Sequence, residues 1–152
     1  MPGRLAAIHR CVGHRQPMEP VEAVRVLAGV GLEGDRHATA DSTREVLAVD
    51  LEALDVLGLV PGVIRENLAL SGVGIRKAPR GLHLRIGEVE FRVLGVCTPC
   101  SRMEEIRPGL EGKLRGRRGR LLAPLTEGVI RRGDAAAVTA RGPRRDGSGP
   151  SG

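Results

Sequence analysis

Short apolar runs separated by turn-forming residues dominate this chain. In most of these runs apolar and polar positions alternate, which is the period of a strand with one buried face. A polar, glycine-bearing stretch at 29–43 separates two runs, and Gly87-Glu88 joins two others in a pattern typical of a β-hairpin. The predicted strands cover residues 4–8, 21–28, 44–49, 82–86 and 89–96.

Two short helices are predicted between the strands. Asp50 has a side chain suited to an N-cap, and the apolar residues of 51–57 that follow it fall near one helical face. Gly58 is the expected end of this helix. A second, more polar helix is predicted over 101–106.

The whole pattern predicts a mainly β protein. Apolar residues at 128–130 and 135–139 flank turn residues at 132–134, which indicates one more hairpin. Many short strands, frequent glycine and a few short helices favour a compact β-barrel or sandwich, and no βαβ alternation is evident. We expect a single domain over residues 1–140 and a disordered tail of basic, glycine and serine residues over 141–152.

Composition excludes several function classes. The chain has one Phe and neither Trp nor Tyr, so nucleic-acid binding by stacking bases on aromatic side chains is not expected. No apolar run reaches the length of a membrane span, and the first residues lack the apolar stretch of a signal peptide. We therefore expect a cytoplasmic protein that makes no use of a membrane.

The positive charge is concentrated toward the C-terminus. The net charge is +6; residues 1–110 hold 14 basic and 14 acidic side chains, whereas residues 111–152 hold 10 and 4. Of the 24 basic residues, 22 are arginine, whose planar guanidinium suits phosphate and carboxylate groups. This region is expected to attract an anion.

The sharpest local motif is Cys-Thr-Pro-Cys at 97–100, at the end of a predicted strand. One interpretation is a dithiol redox pair, although the surrounding elements do not provide a thioredoxin-like βαβ context. A second is a zinc site formed with Cys11 and His14. A third is a single working cysteine, with Cys97 facing inward as a small apolar residue and Cys100 left as the exposed thiol.

Three further polar clusters are candidates for ligand binding. The Gly-Asp-Arg-His sequence at 34–37 suits close approach of a backbone to an anion, or an ordinary turn. Glu66-Asn67 could orient a heterocycle or fix loop backbone. The arginine-rich stretch at 116–120 is either a phosphate-binding loop or a solvated basic loop.

Taken in order, these pieces resemble the MOSC domain, the family named for the C-terminal region of molybdenum cofactor sulfurases. The arrangement is similar to the short, stand-alone prokaryotic members. The matching segments are GLEGDRHA (31–38), REVLAVD (44–50), PGVIRENL (61–68), GLHLRIGEVEFRVLGVCTPC (81–100), GLEGKLRGRRGRLL (109–122) and EGVIRRGDAAAV (127–138).

The resemblance implies a β-barrel-rich fold and a cleft that binds the molybdenum cofactor (molybdopterin). The site would be organised around the cysteine of the Pro99-Cys100 motif, which in some members is proposed to carry a persulfide and in others ligates molybdenum. By this resemblance Cys100 is both the catalytic residue and the metal ligand. The implied cofactor-binding residues are Gly34, Asp35, Arg36, His37, Arg44, Glu66, Asn67 and Arg117.

Our hypothesis from the sequence is a molybdenum cofactor binding protein that carries or transfers sulfur on Cys100. The expected partners are a cysteine desulfurase or an electron-donating reductase. One alternative is a small molybdenum-dependent reductase of N-hydroxylated compounds, which would need a partner reductase. A second alternative is a zinc-stapled binding module without enzymatic activity.

Overall fold

The computed structural model of the protein describes residues 3–13, 16–36, 46–97 and 102–139, so the predicted tail at 141–152 lies outside the described residues. The strands are β1 (Gly3–Arg10), β2 (Glu19–Val21), β3 (Ala23–Leu27), β4 (Gly31–Leu32), β5 (Val46–Asp50), β6 (Leu68–Ser71), β7 (His83–Ile86), β8 (Val89–Val96), β9 (Arg120–Pro124), β10 (Gly128–Arg131) and β11 (Ala135–Val138). The helices are α1 (Leu51–Leu57), α2 (Met103–Ile106) and α3 (Leu110–Leu114), with one 3-10 turn at Ile75–Lys77.

Seven strands close into a barrel. Hydrogen bonds join them in the order β11-β7-β8-β9-β5-β6-β1, and pairing of Gly3 with Ala136 joins β1 to β11 and closes the ring. Strand β2 extends β1 beyond the ring, and β10, β3 and β4 form a separate three-stranded sheet. The prediction of a mainly β, barrel-rich fold with a few short helices is confirmed.

Strand β5 lies between two apolar cores, and for this reason all five of its residues are buried. Val46 and Ala48 belong to the cluster inside the barrel, which also holds the one aromatic residue, Phe91. Leu47 and Val49 point the other way, into a second cluster formed with the three helices. Alternate side chains of a strand point to opposite faces, so one short run supplies both cores.

Helix α1 has the predicted bounds, but its start is stabilised differently. Gly58 ends the helix in the left-handed conformation with φ 69°, as expected for a glycine at this position. Asp50 stands at the N-cap position without making a side-chain cap bond. Its carboxylate instead accepts hydrogen bonds from the backbone N–H groups of Ile75 at 2.7 Å and Arg76 at 3.0 Å. None of the helices in the described ranges has the length and apolarity that crossing a membrane requires.

The predicted C-terminal hairpin is wrong, although both of its strands exist. β10 pairs with β3 in the small sheet, whereas β11 pairs with β7 and β1 in the barrel. The connecting turn does form, with the Asp134 carboxylate accepting from the Arg131 N–H at 2.9 Å. The Gly133 N–H, however, donates to the Leu5 carbonyl at 2.7 Å, which fixes the turn against β1. Each strand therefore finds its partner far away in sequence.

Other differences concern strand boundaries and one crossover. The run predicted as one strand over 21–28 is interrupted at Glu22 and forms the end of β2 and all of β3. Strands β5 and β6 run parallel with α1 between them, so the chain does contain one βαβ unit, which we did not expect. The pattern analysis also missed β4, β6, β9 and α3, whose short runs carry weak periodicity.

Candidate functional site

Asp35 and Asn67 meet where β1 ends. The Asn67 Nδ2 group donates to Asp35 Oδ2 at 2.9 Å and to the His9 carbonyl at 3.0 Å. The same Asp35 oxygen accepts from the Cys11 N–H at 2.7 Å. Both side chains are buried, at 6% relative exposure. The structure thus brings together two residues that are 32 positions apart in the chain.

The Asn67 side chain also holds β5. Its Oδ1 accepts from the Leu47 N–H at 3.0 Å, while its own backbone N–H donates to the Leu47 carbonyl at 2.9 Å. Both ends of the carboxamide are therefore bonded inside the protein. This arrangement fixes the segment before β6 against β1 and β5 at once.

Glu66 precedes Asn67 and makes a different set of contacts. It is fully buried at 0% exposure, and its Oε2 accepts a short hydrogen bond from the Gly62 N–H. Its Oε1 has no hydrogen-bond partner among the described residues. Burial raises the pKa of this carboxyl to about 7, and the backbone N–H of Gly62 and the charge of Arg118 oppose that rise. Arg118 is itself buried at 5% exposure.

A cleft of about 520 Å³ opens beside the 60–65 loop. Its polar lining comes from His9, Arg65, Arg102 and Glu105, and its apolar lining includes Met103. The remaining lining residues are Pro17, Met18, Val60, Pro61, Gly62, Val63 and Ile106. Ligand pockets commonly have about 300–1,000 Å³ and a mostly apolar lining with a few polar groups, so this cleft is suited to a small molecule.

Gly62, in the 60–65 loop, lies close to the His9 ring, and both residues line the cleft. Gly62 has φ 94°, and a Cβ at this position would lie 2.7 Å from the His9 ring. A glycine is therefore required here on both conformational and steric grounds. Partial burial lowers the pKa of His9, which favours the neutral imidazole at the cleft surface.

Two guanidinium groups face this cleft. Arg65 has φ 65° and donates to the carbonyls of Gln16 at 2.7 Å and Gly13 at 3.3 Å, and to the Cys11 sulfur at 3.1 Å. It is the sole non-glycine residue in the described ranges with positive φ. Arg102 has no hydrogen-bond or ion-pair partner for its side chain among the described residues, so it can meet a ligand.

The predicted cysteine motif begins at the end of β8. Cys97 is partly buried against the second apolar cluster, whereas Val93, whose alternation it was expected to continue, belongs to the cluster inside the barrel. A register shift between Val93 and Gly95 changes the face on which the end of β8 packs. Cys100 lies outside the described residues, as do His37 and Arg44, so their predicted roles remain predictions. In the chain, Cys100 comes two residues before Arg102, which lines the cleft.

The zinc alternative also depends on residues outside the described part. His14 and Cys100 are not among the described residues, whereas Cys11 is buried with its Sγ 3.7 Å from the Gly13 carbonyl oxygen. Within the described residues, no three His, Cys, Asp or Glu side chains are grouped as a metal site would need. A four-ligand zinc site remains a prediction.

The other predicted binding residues occupy separate places. Gly34 and Arg36 are exposed on either side of Asp35, and the Arg36 N–H donates to the Cys11 carbonyl at 2.7 Å. Arg117 is exposed and lines another cleft, described below, which shares no lining residue with the first.

Sequence patterns did not single out His9, Arg102 or Glu105 as lining one cleft. His9 lies beyond the end of the strand predicted over 4–8, and Arg102 follows the cysteine motif as one of many arginines. The available signal was Arg65, directly before Glu66-Asn67. The sequence alone does not show that Arg65 shares a cleft with His9 and Arg102.

With this geometry established, comparison with known proteins gives the family. Residues 34–137, about two thirds of the 152-residue chain, match the MOSC domain. The chain belongs to the MOSC domain family. This family is associated with molybdenum cofactor binding, and the resemblance predicted from the sequence is confirmed. No curated protein matches this MOSC protein in sequence.

Solved structures share the fold of this MOSC protein over most of its length. YuaD from Bacillus subtilis has a TM-score of 0.76 at 17% identity, covering 90% of this chain and 94% of that one. YiiM from Geobacillus stearothermophilus has a TM-score of 0.73 at 21% identity, with coverages of 93% and 77%. YiiM from Escherichia coli has a TM-score of 0.69 at 17% identity, with coverages of 92% and 71%. At these identities the likeness shows the fold alone.

Proposed function

We propose that this MOSC protein binds the molybdenum cofactor in the cleft of about 520 Å³ and carries sulfur on Cys100. The observation that carries the proposal is the composition of that cleft: Arg65 and Arg102 face it together, and Arg102 follows the Pro99-Cys100 motif by two residues. The family membership supports the choice of ligand.

The residues of the cleft fit the chemistry of this cofactor. Molybdopterin carries a phosphate and a flat pterin with hydrogen-bonding edges, and guanidinium groups are well suited to bind a phosphate. Arg102 and Arg65 would meet the phosphate, while Val63, Met103 and Ile106 provide apolar surface for the ring system. When bound, the cofactor supplies a molybdenum ion, for which the Cys100 thiolate is a suitable soft ligand.

Sulfur loading of Cys100 would be a thiol–persulfide exchange. The Cys100 thiolate attacks the terminal sulfur of a cysteine persulfide on a desulfurase, forming a new S–S bond as the desulfurase S–S bond breaks. The desulfurase cysteine leaves as a thiolate, so sulfur moves without net oxidation or reduction. A cysteine desulfurase is the partner that this step requires.

Reconstitution with molybdopterin and molybdate, followed by metal analysis, tests the proposal. We expect stoichiometric molybdenum in the wild type and in Cys97→Ser, the matched control within the same motif. The Cys100→Ser variant should retain less metal, and only variants with an intact Cys100 should form a persulfide after incubation with a desulfurase and cysteine. The Arg102→Ala variant should bind the cofactor at least about tenfold more weakly, since a charged hydrogen bond is worth roughly 1.5–3 kcal/mol.

Two results would count against the proposal. The first is equal, negligible molybdenum in wild type and Cys100→Ser with no persulfide in either. The second is loss of persulfide in Cys97→Ser rather than in Cys100→Ser. Reduction of hydroxylaminopurine or an amidoxime by the loaded protein with an electron donor would instead favour the reductase alternative.

A further inference from the structure

A second cleft, of about 350 Å³, lies between α1, the loop that ends in the 3-10 turn, and the turn that carries Arg117. It is lined by three basic side chains, Arg76, Lys77 and Arg117, and by the acidic side chains of Asp50 and Glu52. None of its lining residues also lines the cleft assigned above to the cofactor.

The two acidic side chains are already engaged by the protein backbone. Both Asp50 oxygens accept backbone N–H groups at 2.7 and 3.0 Å. Glu52 Oε2 accepts from the Gly72 N–H at 2.8 Å and from the Ser71 hydroxyl at 3.3 Å. These carboxylates therefore hold the 71–76 loop in place and do not pair with the basic residues of the cleft.

The three basic side chains are exposed. Among the described residues, none forms an ion pair or hydrogen bond with the guanidinium group of Arg76 or Arg117 or with the ammonium group of Lys77. Their backbone is nevertheless fixed, because Arg120 donates to the carbonyls of Arg76 and, at 2.9 Å, of Ala78. The Arg117 N–H donates to the Leu114 carbonyl at 2.7 Å. The cleft thus presents three cations from two anchored turns.

We propose that this second cleft binds the phosphoryl group of a small molecule. The three basic side chains outnumber the two carboxylates of the lining, and guanidinium geometry suits paired hydrogen bonds to phosphate oxygens. A volume of about 350 Å³ suits a metabolite-sized ligand. Single-stranded nucleic acid is a poor fit, because the one aromatic residue, Phe91, is fully buried and no base can stack on it.

Titration calorimetry with inorganic phosphate and with adenosine monophosphate tests this inference. We expect saturable binding that weakens as salt is raised, and a loss of affinity of about tenfold in Arg117→Ala and in Arg76→Ala. Arg115→Ala is the matched control, because Arg115 is exposed in the same basic stretch but does not line the cleft. Its affinity should stay within about twofold of wild type. Circular dichroism of each variant verifies folding.

The outcome does not depend on the function proposed for the first cleft. Phosphate binding that is lost in Arg117→Ala and Arg76→Ala belongs to the second cleft, and prior loading with molybdopterin distinguishes the two sources of phosphate. If loading abolishes this binding, the second cleft holds the phosphate of the cofactor and its assignment to Arg65 and Arg102 is wrong; if it does not, the ligand is a separate metabolite.

Three results would overturn the inference. One is the absence of saturable phosphate or nucleotide binding with a Kd below about 1 mM. Another is an equal loss of affinity in Arg115→Ala and Arg117→Ala, which would indicate a diffuse basic surface. The third is a loss of affinity in Arg102→Ala alone, which would assign the phosphate to the first cleft.

Discussion

Glu66 makes the stability of this protein depend on pH in an unusual direction. Its carboxyl is fully buried, and burial raises its pKa from an ordinary 4.5 to about 7. Between these pH values the folded protein keeps a proton that the unfolded chain has already released. Stability therefore decreases as pH rises from about 4.5 to about 7, and the ionised carboxylate is least favourable above that range.

The size of the effect follows from the two pKa values. Each pKa unit corresponds to about 1.36 kcal/mol, so full ionisation of Glu66 costs roughly 3 kcal/mol of folding free energy. Glutamine resembles the protonated acid and can still accept the Gly62 N–H bond. We expect Glu66→Gln to gain stability relative to wild type by about 2–3 kcal/mol between pH 5 and pH 8, an unusual result for a fully buried position.

Urea denaturation of both proteins at pH 5 and pH 8, followed by circular dichroism, measures this change. The background titration of other groups cancels in the difference between the two proteins. Glu104→Gln is the control: its carboxylate accepts the N–H groups of Gly109 and Glu111, which lower its pKa. That contribution is present above pH 4.5 and is lost only at lower pH, so the Glu104→Gln difference should stay constant from pH 5 to pH 8. A constant difference for Glu66→Gln as well would refute the reasoning.

Two further predictions concern the contacts beneath the first cleft and near the arginine-rich stretch. Asn67→Ala should lower the free energy of unfolding by about 3 kcal/mol, because it removes two buried hydrogen bonds, including the one to Asp35, and a partly buried one to His9; urea denaturation measures this loss. Gly119→Ala should cost more than about 3 kcal/mol, since φ is 108° and a Cβ would lie 2.2 Å from the Ala48 carbonyl oxygen. Gly116→Ala, with φ 80° but no atom within 4 Å, should cost only about 1–2 kcal/mol in the same assay. Similar losses at the two glycines would contradict the steric argument.

Helix α1 and the β7–β8 hairpin were predictable, because each depends on residues that are close together in the sequence. Helix α1 has its predicted bounds, since Gly58 ends it in a conformation that glycine adopts readily. The β7–β8 hairpin follows from its turn at Gly87. The partners of β10 and β11 were not predictable, because their pairing is fixed by strands that come more than a hundred residues earlier or across the barrel. Alternation shows which face of a strand is buried, but it does not identify the neighbouring strand.

The candidate site was predictable in its residue types and less so in its geometry. Glu66 and Asn67 were identified together, and both are buried, yet their side chains make separate contacts. Asn67 bonds to β1 and β5, whereas Glu66 bonds to Gly62. Which of the many arginines face a common cleft depends on the fold, and spacing along the chain does not reveal it.

These contacts imply a division of roles within the 61–67 segment. Gly62 and Arg65 line the first cleft, whereas Glu66 and Asn67 are buried behind it and hold the segment in place. A substitution at Glu66 that removes its hydrogen bond with Gly62 would move Gly62 and would change the cleft without removing any group that a ligand touches. A lower cofactor affinity in a Glu66 variant would therefore identify a positioning residue. Direct contact between the protein and the cofactor has to be tested at Arg102, whose side chain faces the cleft without a partner among the described residues.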